Sequence, residues 1–371
     1  MRSRKQHLRA GQSYQAPPAP FALRLCSTSF HRAASISLMG APAFDKLAAR
    51  LRDAPRAKDA WADFAAAARA SGRSAEAVGI CARLYDADPS FVTALRTLLA
   101  LVSDEPDTSA SDASAEDLQH PPLSIVTCSN DDGRFAAMSE SFGRALAGWP
   151  HDIVRIADAT SIAEGYTRGA AAARGEVIVF AHDDVEILAS DFGHRLVRRL
   201  AECDVLGVAG ATRATGPAWS FAGWPYLHGL VIYPADSGYR VTLYSRSAPL
   251  ARGIRVMDGV LLAMRREVAL RLGWDAQTCD GFHGYDVDFT LRASQSGLRL
   301  AVACDLGLVH RSYGSFEDDW ETTARKLMAR HPELNGEPGE ETGPVARIVP
   351  SARHAMALVD NWARLGRLER A

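Results

Sequence analysis

The chain has 371 residues, 47% of them hydrophobic and 23% charged, and a formal net charge of -2. That balance describes a globular protein of two or three domains with ample core, and gives no electrostatic case for nucleic acid or an anionic membrane as partner. The six cysteines show no Cys-x-x-Cys pair or metal-ligand spacing, which fits reduced thiols in a cytoplasmic protein, and no apolar run is long enough to span a bilayer, so membrane contact is at most peripheral.

Residues 1–40 contain no Asp or Glu, carry Arg2, Arg4, Lys5, Arg9, Arg24 and Arg32, and include the proline-rich Ala16-Pro-Pro-Ala-Pro20. The composition suits a disordered leader; the plainer alternative is that Met39 is the true start. From 41 to 102 apolar residues recur at helical spacing: Leu47 and Leu51, Trp61, Phe64 and Ala68, Ala77, Ile80 and Leu84, then Phe91, Leu95 and Leu98. Gly72 and Asp88-Pro89 separate the helices. Trp61, Gly72, Ala77 and Pro89 resemble one tetratricopeptide repeat and part of a second. Fewer than three repeats do not stand alone, so this small all-α domain is expected to pack on something else. A docking surface for a protein partner is one use for it; a plain helical appendage is the other. The acidic, small and polar stretch 103–122 reads as a linker.

A second domain, 123–335, opens with the strand Leu123–Cys128, followed by the polar Ser129-Asn-Asp-Asp-Gly133 and a helix over about 135–146. The next strand is Asp152–Ile156. Ser161-Ile-Ala-Glu164 is a capping-box signature for a helix that carries Tyr166-Thr-Arg-Gly169 and stops at Gly175. A strand over 177–181 completes a strand-helix-strand-helix-strand order, the grammar of a Rossmann-like parallel sheet in an α/β fold. Neither a Gly-x-Gly-x-x-Gly fingerprint nor a Walker pattern follows the first strand. A helix over about 190–202, the strand Val205–Ala209, a loop with Trp219 and Trp224, and strands at about 229–233 and 239–245 come next. Met257–Met264 is β-like beyond Asp258-Gly259, and Arg266–Leu272 is helical.

Two polar clusters stand out. Glu176-Val-Ile-Val-Phe-Ala-His-Asp-Asp-Val185 is a buried-strand pattern ending in His182, Asp183 and Asp184. Ligands to parallel sheets gather at the carboxyl ends of strands, and adjacent carboxylates there are relieved by a divalent cation; a plain loop after a strand is the alternative. The second cluster is Asp280-Gly-Phe-His-Gly-Tyr-Asp-Val-Asp-Phe-Thr-Leu-Arg292, which sets Asp286 and Asp288 at a helix start, favourable for the helix dipole. Simple capping accounts for one acid but leaves His283 unexplained. The strand Leu300–Ala303 leads to Leu308-Val-His310, then a charged helix over about 316–331. The remainder, 336–371, reads as a tail with an amphipathic helix near 353–367.

With these residues assembled, 123 to about 331 resembles a glycosyltransferase of the nucleotide-diphosphosugar-binding A-type (GT-A) fold. More narrowly, it resembles the inverting family 2 type, in the branch related to streptomycin- and capsule-biosynthesis proteins. The resemblance rests on Thr127-Cys-Ser-Asn130, Tyr166-Thr-Arg-Gly169 before Gly175-Glu-Val-Ile-Val-Phe180, His182-Asp-Asp184, and Gly284–Arg292 followed by Val309-His310. It implies Mn2+ or Mg2+ bound by Asp184 and His310 with support from Asp183, and Asp286 as general base with Asp288 as alternative. It further implies a donor site of Thr127, Ser129, Asp158, Arg168 and His182, and a sugar or acceptor region of Asp258, Gly259, Trp219, Trp224 and His283. The implied reaction moves a sugar from a nucleoside-diphosphate sugar to a glycan, lipid-linked or protein acceptor, in bacterial surface glycan or glycoconjugate synthesis. Three positions depart from the pattern: His182 stands at the first acid, Thr167 for an Asn, and Tyr285 for the Glu before Asp286. A sugar nucleotidyltransferase is the rival enzyme, but the loop after the first strand is acidic where that rival needs a basic one. A non-catalytic sugar-nucleotide-binding scaffold acting through the helical domain is the rival of another class.

Overall fold

The computed structural model describes residues 41–87, 93–94, 96–97, 101, 120–244, 249–312, 318–339 and 345–368. The expected leader, nearly all of the acidic linker, and Phe91, Leu95 and Leu98 lie outside the described residues.

Helices α1 (Ala41–Asp53), α2 (Lys58–Ala70) and α3 (Ser74–Ala87) come first. Their apolar faces meet: Phe44 stacks on Phe64 at 5.2 Å, and Trp61 approaches Phe64 edge-on at 6.0 Å. Gly72, at φ 66, turns the chain between α2 and α3 in the left-handed region that L side chains disfavour. The same apolar cluster continues through Leu230, Ile232, Val241, Leu243, Val309 and Trp362. The helical piece therefore packs on the α/β part, as its length requires.

The α/β part opens with β1 (Leu123–Cys128), α4 (Asp132–Ala145), β2 (His151–Ile156), α5 (Ile162–Ala172) and β3 (Val177–Ala181). Both β2 and β3 run parallel to β1, between them. Asp131 caps α4 by accepting from Arg134 N, and Ser161 caps α5 by accepting from Glu164 N. Glu164 reaches back to Thr160 N, one residue before the cap. On α5, Gly165 and Gly169 lie one turn apart, and a Cβ at either would collide with Cys128 or Val126 of β1. Their small size lets the helix lie close on the strand.

Next come β4 (Val185–Ile187), α6 (Phe192–Leu200), β5 (Val205–Gly207), β6 (Ala209–Ala211), a 3-10 turn at Trp219–Ala222, β7 (Leu227–Ala235) and β8 (Gly238–Leu243). They are followed by β9 (Leu250–Ile254), β10 (Val256–Met257), β11 (Leu261–Arg265), α7 (Arg266–Leu272), α8 (Tyr285–Gln295), β12 (Leu300–Ala303), β13 (Leu308–His310) and α9 (Asp318–Arg330). The first sheet has the order β2-β1-β3-β11-β5-β12-β9. It is mixed where an all-parallel sheet is expected, because β11 and β9 enter antiparallel to their neighbours. The second sheet has the order β10-β6-β7-β13-β4, with β8 paired to β7.

Several segments step from one sheet to the other, and three of them concern the site. The chain passes from β3 to β4 through His182–Asp184, from β5 to β6 through Val208, and from β10 to β11 through 258–260. A crossing interrupts the ladder, and its backbone groups need other partners. The acids at 183, 184 and 258 lie at these interruptions.

Part of the segment after 335, expected as a tail, packs on the α/β part. Strand β14 (Val345–Val349) pairs antiparallel with β8, and α10 (Ala352–Leu368) buries Ala355, Leu358, Val359 and Trp362 in the cluster shared with α1–α3. Each large apolar side chain so buried contributes about 1.5–3 kcal/mol. That amphipathic face is what the sequence spacing near 353–367 encodes.

Candidate active site

Strand β3 is buried along its whole length, and its end delivers His182, whose N–H donates to the Val260 carbonyl at 3.2 Å. Beyond the crossing, β4 pairs antiparallel with β13, setting Val185 opposite His310, and Arg311 N donates to the Asp184 carbonyl at 3.1 Å. This register brings Asp184 and His310 together. His310 Nε2 lies 3.5 Å from Asp184 Oδ1, 3.3 Å from His182 Nδ1 and 3.3 Å from Ser312 Oγ. One atom each from His182, Asp184 and His310 lies within 4.8 Å of the others.

The electrostatics follow from these neighbours. Burial opposes ionisation of Asp184, but the hydrogen bond and charge of His310 outweigh it and hold the carboxyl well below its usual range. Burial likewise opposes protonation of His310, and Asp184 overrides it, so the imidazole is raised. His182 is lowered, by burial and by the His310 charge. An ionised carboxylate beside two imidazole nitrogens is a donor set that suits a divalent cation. The Asp183 carboxylate, expected to support that set, pairs with Arg134 at 3.5 Å. The two acids occupy the turn between β3 and β4 and part company there, Asp183 toward Arg134 and Asp184 toward His310.

Asp286 lies in the first turn of α8, after Gly284, which takes the left-handed φ of 73. Its Oδ2 accepts from Gly259 N at 3.0 Å and its Oδ1 from Val287 N at 2.9 Å. Burial, then the charge of Asp258, push this carboxyl up to about 7. Asp258 is itself fixed, accepting from Trp219 Nε1 at 2.7 Å and from Val260 N at 2.9 Å. Asp288, two residues on, faces elsewhere. It is 1% exposed, paired with Arg292 at 2.8 Å and with His331 Nε2 at 2.8 Å. These contacts make it an anchor between α8 and the end of α9, and correct its reading as an alternative base: a buried carboxylate with one oxygen engaged by Arg292 and the other by His331 has no access to an acceptor.

The other candidates divide. Thr127 is fully buried at the end of β1, and its Oγ1 has no hydrogen-bond partner among the described residues. Ser129 Oγ donates to the Asp131 carbonyl and shapes the turn into α4. Arg168 bridges Asp158 at 2.9 Å and Glu164 at 2.5 Å on the surface of α5. His283 is partly buried in the loop entering α8. Trp219 is 8% exposed, its ring edge-on to Tyr244 at 4.9 Å and its Nε1 donating to Asp258, which leaves little of its face open. Trp224 is 3% exposed in the apolar cluster that α1–α3 and α10 share, which corrects its reading as a stacking residue.

Two residues at the site were not among the sequence candidates. Ser312 follows His310 by two positions, a spacing that returns to the same side of an extended chain. Tyr285, noted only as a departure, puts its hydroxyl 2.6 Å from His182 Nε2. A cleft of about 610 Å3 lies to the side of these groups, lined by Arg168, Trp274, Asp275, Arg292 and Arg330 among others, and contains none of the cluster around His310.

Residues 124–331 match a family model described as "Glycosyltransferase like family". The chain belongs to this glycosyltransferase-like family. Its mixed α/β architecture is of the GT-A type that the sequence resemblance implies. No curated protein matches the chain. Solved structures similar to this glycosyltransferase-like chain include the mannosyltransferase PcManGT from Pyrobaculum calidifontis in complex with GDP-Man and Mn2+, at 11% identity over 79% of this chain and 81% of that one, with a TM-score of 0.37. They also include TarS of S. aureus, at 13% identity over 56% and 39% of the two chains and a TM-score of 0.35. GalNAc-T7 with UDP, GalNAc and Mn2+ matches at 15% identity over 64% and 57%, with a TM-score of 0.34.

Proposed function

We propose that this enzyme transfers a sugar from a nucleoside-diphosphate sugar to an acceptor hydroxyl with inversion at the anomeric carbon. The observation that carries the reading is Asp286: a carboxylate immobilised by two backbone N–H groups, pushed up to about 7, and linked through its neighbour Tyr285 to the His182, Asp184 and His310 cluster.

Asp286 is the general base. With its acidity near neutral pH it combines a useful ionised fraction with the driving force to accept a proton. It takes the acceptor hydroxyl proton as that oxygen bonds to the anomeric carbon, and the bond to the diphosphate breaks with its electron pair leaving on the phosphate oxygen. Asp258, held by Trp219 and Val260 N, keeps negative charge beside the base. Asp184 and His310 would hold Mn2+ or Mg2+, which when bound offsets charge developing on the leaving nucleoside diphosphate. Asp183 positions Arg134 beside this region. Thr127, with its unpartnered buried hydroxyl, and Ser129, Asp158 and Arg168 would form the nucleoside side of the donor site.

The acceptor belongs to a glycan, a lipid-linked sugar or a protein, within surface glycan or glycoconjugate synthesis, in the branch related to streptomycin- and capsule-biosynthesis proteins. Helices α1–α3, tetratricopeptide-like in sequence, would meet a protein partner, and a cytoplasmic location fits the use of nucleotide sugars. No helix of the described residues is long and apolar enough to cross a membrane. The test is a panel of sugar nucleotides incubated with purified protein, with slow hydrolysis revealing the donor. D286N is expected to abolish transfer and leave donor binding nearly intact; loss of both to the same degree would reassign Asp286 to the cation. Binding without turnover of any donor favours the scaffold instead.

A further inference from the structure

We propose that Tyr285 is a positioning residue that holds His182 as the third protein ligand of the cation site, giving a two-imidazole, one-carboxylate centre that prefers Mn2+ to Mg2+. The inference rests on the cation reading above and deepens it.

Two of the three departures from the family pattern are in contact with each other. His182 replaces an acid and Tyr285 replaces a Glu, and the Tyr285 hydroxyl lies 2.6 Å from His182 Nε2. A ligating histidine characteristically donates its other ring N–H to a fixed acceptor. Donation from Nε2 to Tyr285 leaves the Nδ1 lone pair directed at His310 Nε2, 3.3 Å away, with Asp184 Oδ1 3.5 Å from the same nitrogen. His182, Ser312 and Asp184 thus all crowd one atom of His310, more neighbours than its single lone pair or proton can satisfy. Convergence of lone pairs on a common point is what a cation resolves.

The hydroxyl is held in place by packing. Tyr285 is 5% exposed, its ring edge-on to Tyr166 at 5.7 Å and tilted against Trp274 at 6.0 Å. A Cβ at Gly259 would collide with the Tyr285 hydroxyl, so the glycine at 259 makes room for it while its N–H holds Asp286. Tyr285 is therefore a single connection between the helix that carries the base and the site of the leaving group. Imidazole nitrogens suit transition ions, whereas Mg2+ demands oxygen ligands and near-ideal octahedral geometry; replacing an acid by His182 moves the site away from Mg2+.

The experiment is Mn2+ titration of metal-free protein without donor, followed by electron paramagnetic resonance, for wild type, Y285F and D184N. Y285F is expected to weaken Mn2+ binding about tenfold and Mg2+ binding less, with the melting temperature of the metal-free protein nearly unchanged. Pulsed resonance of the Mn2+-loaded wild type is expected to show two coupled imidazole nitrogens, and H182Q one; the wild-type count does not depend on any variant folding. A single nitrogen in wild type, or unaltered Mn2+ affinity in Y285F while D184N loses it, overturns the inference and leaves the cation reading standing. Unaltered Mn2+ binding in D184N overturns both.

Discussion

Replacing Asp286 by Asn should stabilise the protein above neutral pH while destroying its activity. The ordinary value for this carboxyl is 3.8, and the folded chain holds it at about 7 because burial, then Asp258, oppose its charge. Below about pH 4 the group is protonated in folded and unfolded chains alike. Between about 4 and 7 the unfolded chain releases the proton and the folded one retains it, so stability falls as pH rises through that window, with the whole penalty present above it. At about 1.4 kcal/mol for each tenfold change in acidity, the ceiling is about 4 kcal/mol. Asp286 is only partly buried, and solvent screening reduces this to roughly 2 kcal/mol. An Asn, like the protonated acid, has one acceptor oxygen for two backbone donors, so the loss of one hydrogen bond is common to both and cancels below about pH 4. Metal-free thermal melts should show D286N matching wild type at or below about pH 4 and exceeding it at pH 8 by about 4–8 °C, taking about 2–4 °C per kcal/mol. A difference in melting temperature that does not change with pH refutes the assignment of a buried, strained charge to this position.

Three further outcomes follow from the same geometry. Asp184→Ala or His310→Ala should remove the Mn2+-dependent thermal stabilisation by nucleoside diphosphates, worth about 2.7 kcal/mol at a hundredfold excess over Kd in wild type, and chelation of wild type should do the same; full activity in Asp184→Ala sinks the coordination scheme. Asp258→Asn removes one of the two influences that raise Asp286, so the rise of kcat/KM with pH, centred near 7 in wild type, should move to lower pH; a limb that stays put would assign the effect to burial alone. Asp288→Ala leaves Arg292 and His331 without their buried partner and should cost about 3–5 kcal/mol in urea unfolding. Unchanged stability with lost turnover would return Asp288 to the catalytic role.

Much of the first sheet was legible because its strands are apolar on both faces. The runs at β1, β3, β11 and β12 stand out in sequence for the reason they are buried. Strands β4 and β10 are too short for a pattern, and β14 alternates too weakly, with only its end residues half-buried. Asp286 and Asp288 look equivalent in sequence, but two residues of helix turn a side chain by about 200°, sending one to Gly259 and the other to Arg292 and His331. Trp224 illustrates the opposite limit. An aromatic in a loop beside a sugar site invites a stacking role, and only the assembled cluster of the second sheet, α10 and α1–α3 shows that its ring is core.

The way α1–α3 are seated has a practical consequence. Their apolar sides pack on one another and join, together with α10, the cluster of Leu230, Ile232, Val241, Leu243 and Val309, and Val309 is the strand neighbour of His310. A fragment trimmed to the segment shared with the family, 124–331, would bare this face and drop α10 as well, inviting aggregation. Among the described residues, the helices offer a visiting protein exposed rows such as Asp45, Lys46 and Arg50 on α1.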